Sequence, residues 1–111
     1  MEPFSTLSPA IWKEEIEMQN GIICDVRIAD EFGDSYIDGA KNLDVLAEGY
    51  EKALDSLNKK SAYFLYCRTG SRSKTVMETM KENGFEKVFD LEGGIMQWEF
   101  KGFEVEYGDD F

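Results

Sequence analysis

The sequence predicts an α/β fold in which a parallel sheet is covered by helices on both faces. Short, nearly all-apolar runs at residues 21–26, 62–66 and 87–89 have the length and β-rich composition of strands buried on both sides. Segments with helical spacing separate these runs along the whole chain, which is the order that gives parallel rather than antiparallel pairing. No internal repeat, linker or low-complexity tract interrupts the 111 residues, so a single domain with one core is expected.

Each element has a local reason. Ser8 followed by Pro9 reads as an N-cap and first helical residue, with Ile11, Trp12, Ile16 and Met18 supplying an apolar side before Asn20-Gly21 stops the helix. The run from Gly21 to Val26 is the first strand, with Cys24 inside it. Residues 28–33 allow one short helical turn, and Asp38-Gly39 marks a tight turn. The spacing of Leu46, Tyr50, Leu54 and Leu57 predicts a helix over 46–57. Ala62 to Tyr66 is a second strand running straight into Cys67. Val76, Met77 and Met80 then mark a helix ended by Asn83-Gly84. Lys87 to Phe89 is a third strand, Gly93-Gly94 punctuates, and Ile95, Met96, Trp98 and Phe100 begin a last short helix.

Composition excludes several functions. The chain has no run of 18 apolar residues, and its start lacks the basic and apolar regions of an export signal, so a soluble, cytoplasmic protein is expected. In that setting Cys24 and Cys67 are thiols rather than a disulfide. With 23 acidic and 12 basic side chains the formal net charge is −11, which disfavours nucleic acid and anionic membranes as partners. There is no histidine, and two isolated cysteines make no metal-ligand cluster, so neither a metal nor another cofactor is expected. Mechanisms that depend on an imidazole base are removed as well. Any cysteine chemistry must stabilise its thiolate by other means.

The stretch Leu65-Tyr-Cys-Arg-Thr-Gly-Ser-Arg-Ser73 offers such means. Cys67 falls at the carboxyl end of a strand, where open α/β sheets place ligand crevices, and the loop after it leads into a helix whose first N–H groups lack partners. Gly70 permits a tight turn, Thr69, Ser71 and Ser73 can hydrogen-bond at the loop and helix start, and Arg68 and Arg72 add fixed positive charge. A thiol there is expected to ionise readily, because amide dipoles and guanidinium groups favour the thiolate. A lone cysteine is more often a small buried residue, and that reading holds for Cys24. At Cys67 the strand end, glycine loop, paired arginines and helix start together favour a nucleophile. Spacing then separates two chemistries. Cysteine phosphatases place five residues between Cys and Arg, whereas Cys67 and Arg72 enclose four, a smaller ring of amides suited to one added sulfur rather than a phosphoryl group.

These residues resemble the rhodanese family of sulfurtransferases. The resemblance runs from about Leu7 to Val105 and is carried by residues 23–32, 36–45, 66–73 with 80–91, and 92–98. It implies a five-stranded parallel sheet between helices, one domain with a core over 7–105, and a ping-pong mechanism. In that mechanism Cys67 takes a sulfane sulfur from a donor such as thiosulfate or a low-molecular-weight persulfide, then passes it to cyanide, a thiol or an acceptor protein. By position, Cys67 is the nucleophile and Arg68, Thr69, Gly70, Ser71 and Arg72 form the loop that holds the persulfide, with Arg68 steering the donor and Arg72 bracing the loop. Arg27 is expected to pair with Glu31 or Asp30, with a charge beside the pocket as the functional alternative. Glu92-Gly-Gly94 is expected to shape the neighbouring loop and Trp98 to lie in the core. Tyr36 and Asp38 stand where family members commonly show His and Pro. Two other classes remain open: a binding or regulatory module without catalysis, and a phosphatase or arsenate reductase on the same fold.

Overall fold

The structure is a computed structural model, and it describes residues 2–108. Its centre is a parallel sheet of five strands: β1 (Phe4–Leu7), β2 (Ile22–Asp25), β4 (Lys41–Asn42), β5 (Ala62–Tyr66) and β6 (Lys87–Leu91), in the spatial order β1-β6-β5-β2-β4. A separate antiparallel ribbon joins β3 (Ser35–Tyr36) to β7 (Glu106–Tyr107). The helices are α1 (Pro9–Gln19), α2 (Ala29–Asp34), α3 (Tyr50–Asp55), α4 (Ser71–Glu82) and α5 (Gly94–Phe100).

The continuous apolar run at 62–66 is explained by its place. As the middle strand of five, β5 is buried at every position, and alternate side chains enter the cores on the two faces of the sheet. Tyr63, Leu65 and Cys67 pack with Leu54 of α3 and Val76, Met77 and Met80 of α4. Ala62, Phe64 and Tyr66 face the other way, toward Trp12 of α1 and Ile95 and Trp98 of α5. Trp12 is fully buried and meets Phe64, Tyr66 and Trp98 edge-on with ring centroids 6.0, 6.1 and 5.5 Å away. Burying each such side chain stabilises the fold by roughly 1.5–3 kcal/mol. The expected place of Trp98 in the core is therefore observed.

The ends of α1 follow the sequence signals. Pro9 opens it after Ser8, although the Ser8 hydroxyl makes no capping bond, and Asn20 closes it in the left-handed conformation at φ 53°. Its apolar side is narrower than the spacing predicts, since Ile11 and Met18 are exposed and Ile16 only half-buried. On α5, Ile95 and Trp98 face the core while Met96 and Phe100 face solvent, as a helix with one buried stripe requires.

The helix expected over 46–57 is shorter. The Asp44 carboxylate accepts the N–H of Leu46 at 2.8 Å, and the Asp44 carbonyl accepts that of Ala47 at 3.1 Å. These local bonds make turns up to Gly49, so α3 begins only at Tyr50 and Leu46 is exposed. The Asp38-Gly39 turn is present, closed by the Ala40 N–H on the Ile37 carbonyl at 3.0 Å. Among the described residues no helix is long and apolar enough to cross a membrane.

Candidate active site

Cys67 is the first residue beyond β5, and the chain turns there because three anchors hold it. Gly70 adopts φ 103°, a conformation that L side chains rarely take, and caps the N-terminus of α4. From the opposite side, the N–H groups of Ile95 and Met96 donate to the carbonyls of Cys67 and Arg68 at 2.9 and 3.1 Å. Gly94 makes that approach possible: a Cβ on it would lie 2.4 Å from the Arg68 carbonyl oxygen and 2.5 Å from that of Cys67. The expectation that Glu92-Gly-Gly94 shapes the cysteine loop is met, and Gly94 is the residue that does so.

The result is a sulfur facing backbone donors. Cys67 Sγ accepts from the Gly70 N–H at 3.1 Å and from the Ser73 N–H at 3.4 Å. The Ser73 hydroxyl lies 3.4 Å from the same sulfur. Partial positive charge thus converges on one atom at a helix N-terminus, where negative charge is favoured. Cys67 is only 4% exposed and lines a pocket of about 190 Å³ together with Arg27, Glu31, Arg68, Thr69, Ser71 and Arg72. A shallow groove of about 270 Å³ continues from it past Arg68 to Met96 and Glu99. A larger cavity of about 550 Å³ lies elsewhere, walled by Trp12, Trp98 and Phe103, but it contains no thiol.

The loop residues divide into two groups. Gly70 and Ser73 are buried under the sulfur, whereas Arg68, Thr69, Ser71 and Arg72 are exposed around the rim. Among the described residues neither Arg68 nor Arg72 makes a side-chain hydrogen bond or ion pair. Arg72 is therefore not the brace expected from the sequence; both guanidinium groups present positive charge to the pocket.

Arg27 differs from its expected pairing as well. Its partner is Asp25, not Glu31 or Asp30: Arg27 Nε donates to both Asp25 carboxylate oxygens at 3.0 Å, and Nη2 donates to Oδ2 at 2.6 Å. The Arg27 N–H adds a bond to Oδ1 at 2.9 Å, and Nη2 also donates to the Ser35 carbonyl. Burial works against the Arg27 charge, but the hydrogen bond and charge of Asp25 outweigh it and raise its pKa. The pair is buried and self-neutralised, so Arg27 borders the pocket as a wall while Arg68 and Arg72 supply its free charge. Tyr36 stacks on Phe32 with centroids 4.9 Å apart and lies away from the sulfur pocket.

One residue of this neighbourhood was not singled out by the sequence. Asp90, fully buried in β6, accepts a short hydrogen bond from the Ser73 hydroxyl. The signal was a lone acid in the apolar run Val88-Phe89-Asp90-Leu91, because a carboxylate at such a position needs hydrogen-bond partners.

A parallel sheet with a cysteine at a strand end, its sulfur facing backbone amides, describes an α/β protein with a thiol-containing pocket. The chain belongs to the rhodanese-like domain family, whose model matches residues 8–101. It is 28% identical over 105 residues to the thiosulfate sulfurtransferase GlpE of Actinobacillus pleuropneumoniae, covering 95% of each chain. It is 35% identical over 94 residues to YtwF of Bacillus subtilis, provisionally named a sulfurtransferase, covering 84% of this chain and 88% of that one. The crystal structure of a rhodanese-like domain protein from Staphylococcus aureus matches it with a TM-score of 0.76 at 28% identity, over 95% of this chain and 99% of the other. The five-stranded parallel sheet is thus the fold of this family.

Proposed function

We propose that this protein, acting as one domain with a core over residues 7–105, is a sulfurtransferase in which Cys67 carries the sulfur. The observation that carries the reading is the pair of N–H groups of Gly70 and Ser73 aimed at Cys67 Sγ from the N-terminus of α4. In the first half-reaction the Cys67 thiolate attacks the outer sulfur of thiosulfate, the sulfur–sulfur bond of the donor breaks, and sulfite leaves with its electron pair. In the second, cyanide or another thiol attacks the terminal sulfur of the persulfide and the Cys67 thiolate returns. The loop Arg68, Thr69, Gly70, Ser71 and Arg72 surrounds the persulfide, so its amides act on developing negative charge as an oxyanion hole does. Arg68, on the rim and shared with the adjoining groove, is the steering charge.

The name of the Actinobacillus relative supports thiosulfate as a donor. The charge of −11 supports a second donor class, a low-molecular-weight or protein-borne persulfide of lower negative charge. Two free thiols support a reducing, cytoplasmic setting. The four-residue spacing from Cys67 to Arg72 and the small pocket argue against a phosphatase, and a thiol held by donors under an open pocket argues against a module without catalysis. Steady-state assays with thiosulfate and cyanide test the reading: thiocyanate should form with parallel double-reciprocal lines, and Cys67→Ser should form none. Absence of turnover in the wild type with thiosulfate and with glutathione persulfide would overturn it.

A further inference from the structure

Asp90 has no part in the function proposed above, yet its hydrogen bonds lead to the reactive sulfur. It is 0% exposed in a strand whose neighbouring side chains are Val88, Phe89 and Leu91. Its Oδ2 accepts from the Thr6 hydroxyl of β1 at 3.3 Å, and its Oδ1 accepts the short bond from Ser73 Oγ. Ser73 Oγ lies 3.4 Å from Cys67 Sγ, with either atom able to donate. The Gly70 carbonyl at 3.3 Å is a further acceptor for the same hydroxyl. Ser73 has one hydroxyl hydrogen, so its direction couples the proton on the sulfur to the proton on the carboxyl.

We propose that Ser73 and Asp90 form a proton relay that takes the proton of the Cys67 thiol and leaves the thiolate this histidine-free site needs. The purpose of the relay rests on the sulfurtransferase reading, although its test does not. In the starting arrangement the thiol donates to Ser73 Oγ and the Ser73 hydroxyl donates to the Asp90 carboxylate. The Cys67 S–H bond breaks, its proton binds Ser73 Oγ, and the Ser73 proton moves to Asp90 Oδ1. A neutral thiol and a carboxylate become a thiolate and a carboxylic acid, with total charge and proton number unchanged. Both hydrogen bonds reverse: Asp90 now donates to Ser73, and Ser73 donates to the thiolate, which keeps the Gly70 and Ser73 N–H groups as well.

The surroundings suit such an acceptor. Burial raises the Asp90 pKa, with Ser73, Thr6 and the charge of Lys74 acting in the opposite direction. The groups that face it are Thr6 from β1, Ser73 and Lys74 from α4, and, through Ser73, Cys67 at the end of β5. Exchange along this chain uses hydrogen bonds already formed and moves no heavy atom by more than a bond adjustment.

The test is the rate of Cys67 alkylation by iodoacetamide as a function of pH, read on the Cys67 peptide by mass spectrometry, for the wild type, Asp90→Asn, Ser73→Ala and Ser73→Thr. Alkylation needs the thiolate but no sulfur transfer. In the wild type the rate should level off over an interval of pH instead of falling continuously as pH is lowered, because the pair shares one proton there. In Asp90→Asn and Ser73→Ala it should instead fall roughly tenfold per pH unit, while Ser73→Thr, which keeps the hydroxyl, should retain the plateau. An Asp90→Asn or Ser73→Ala rate equal to or above that of the wild type at every pH would overturn the relay, since Asp90 would then act only as a charge that repels the thiolate. Failure of the sulfurtransferase reading would look different: no sulfur transfer in the wild type, with the alkylation plateau intact.

Discussion

Cys24 lies in β2 and Cys67 just past the end of the neighbouring β5, each 4% exposed, and their surroundings are opposite. Cys24 sits within β2, where its Cα partners are Lys41 of β4 and Leu65 of β5. Burial pushes its thiol up to about 12, with Lys41 acting against that shift and Asp25 adding to it. Cys67 sits one residue past the end of β5, where the chain turns and the N–H groups of Gly70 and Ser73 point at the sulfur. Equal depth in the fold thus goes with opposite hydrogen-bonding surroundings for the two sulfurs. Inside the sheet, backbone donors are committed to the neighbouring strands, whereas at a strand end before a helix they are free to converge on a side chain.

The largest effect expected from this contrast is in alkylation. At pH 8 Cys67 should react faster than Cys24 by about 10³-fold or more in the folded protein, and denaturation should erase the difference; peptide mapping measures both, and equal rates in the folded state would break the comparison. Gly94→Ala should come next. Its Cβ meets the Cys67 and Arg68 carbonyls, so the loop must shift, and sulfur loading should slow by about 10²-fold while Cys24 alkylation stays as in the wild type. A loading rate unchanged by Gly94→Ala would show that loop position is not what distinguishes the two thiols.

A smaller effect concerns alkaline stability. The Cys24 pKa is raised in the folded state from its usual 9.0 to about 12, so its contribution is full below 9.0 and is lost as pH rises toward 12. Cys24→Ala should flatten the fall of Tm across that window, lower stability at neutral pH by about 1 kcal/mol, and leave sulfur loading within roughly twofold. The smallest effect should be that of salt. The net charge of −11 opposes thiosulfate while Arg68 and Arg72 attract it locally, and added salt screens the distant charges. The KM for thiosulfate should therefore fall by roughly twofold between low and physiological ionic strength; a KM that rises with salt would mean that the two rim arginines dominate the field.

The sequence made the centre of the molecule legible and its edges much less so. β5 could be read because a fully buried strand leaves a continuous apolar run, and the loop after it because Gly70 and the polar residues around it interrupt that run. β1 could not, since Phe4-Ser-Thr-Leu7 becomes a strand only by pairing with β6 more than 80 residues away. The two-residue strands β3, β4 and β7 leave no periodicity to detect. At the site, the structure gathers Cys67, Arg68, Thr69, Ser71 and Arg72 around one pocket, but the side-chain pairings beside it were less legible. The sequence offers Arg27 acids one turn ahead on α2, yet the pairing goes backward to Asp25 because the chain leaves β2 with both residues buried. The sequence marks Ser73 only as a helix-start residue, and its hydrogen bond to Asp90 forms because β6 brings that carboxylate beside it.

The proposed function requires that sulfur be carried on Cys67 and not on Cys24. Intact-mass measurement of wild type, Cys24→Ala and Cys67→Ser after incubation with thiosulfate or glutathione persulfide tests it most directly. The wild type and Cys24→Ala should each gain one sulfur atom, reversed by cyanide, and Cys67→Ser should gain none. An adduct that survives in Cys67→Ser, or none in the wild type with either donor, would contradict it.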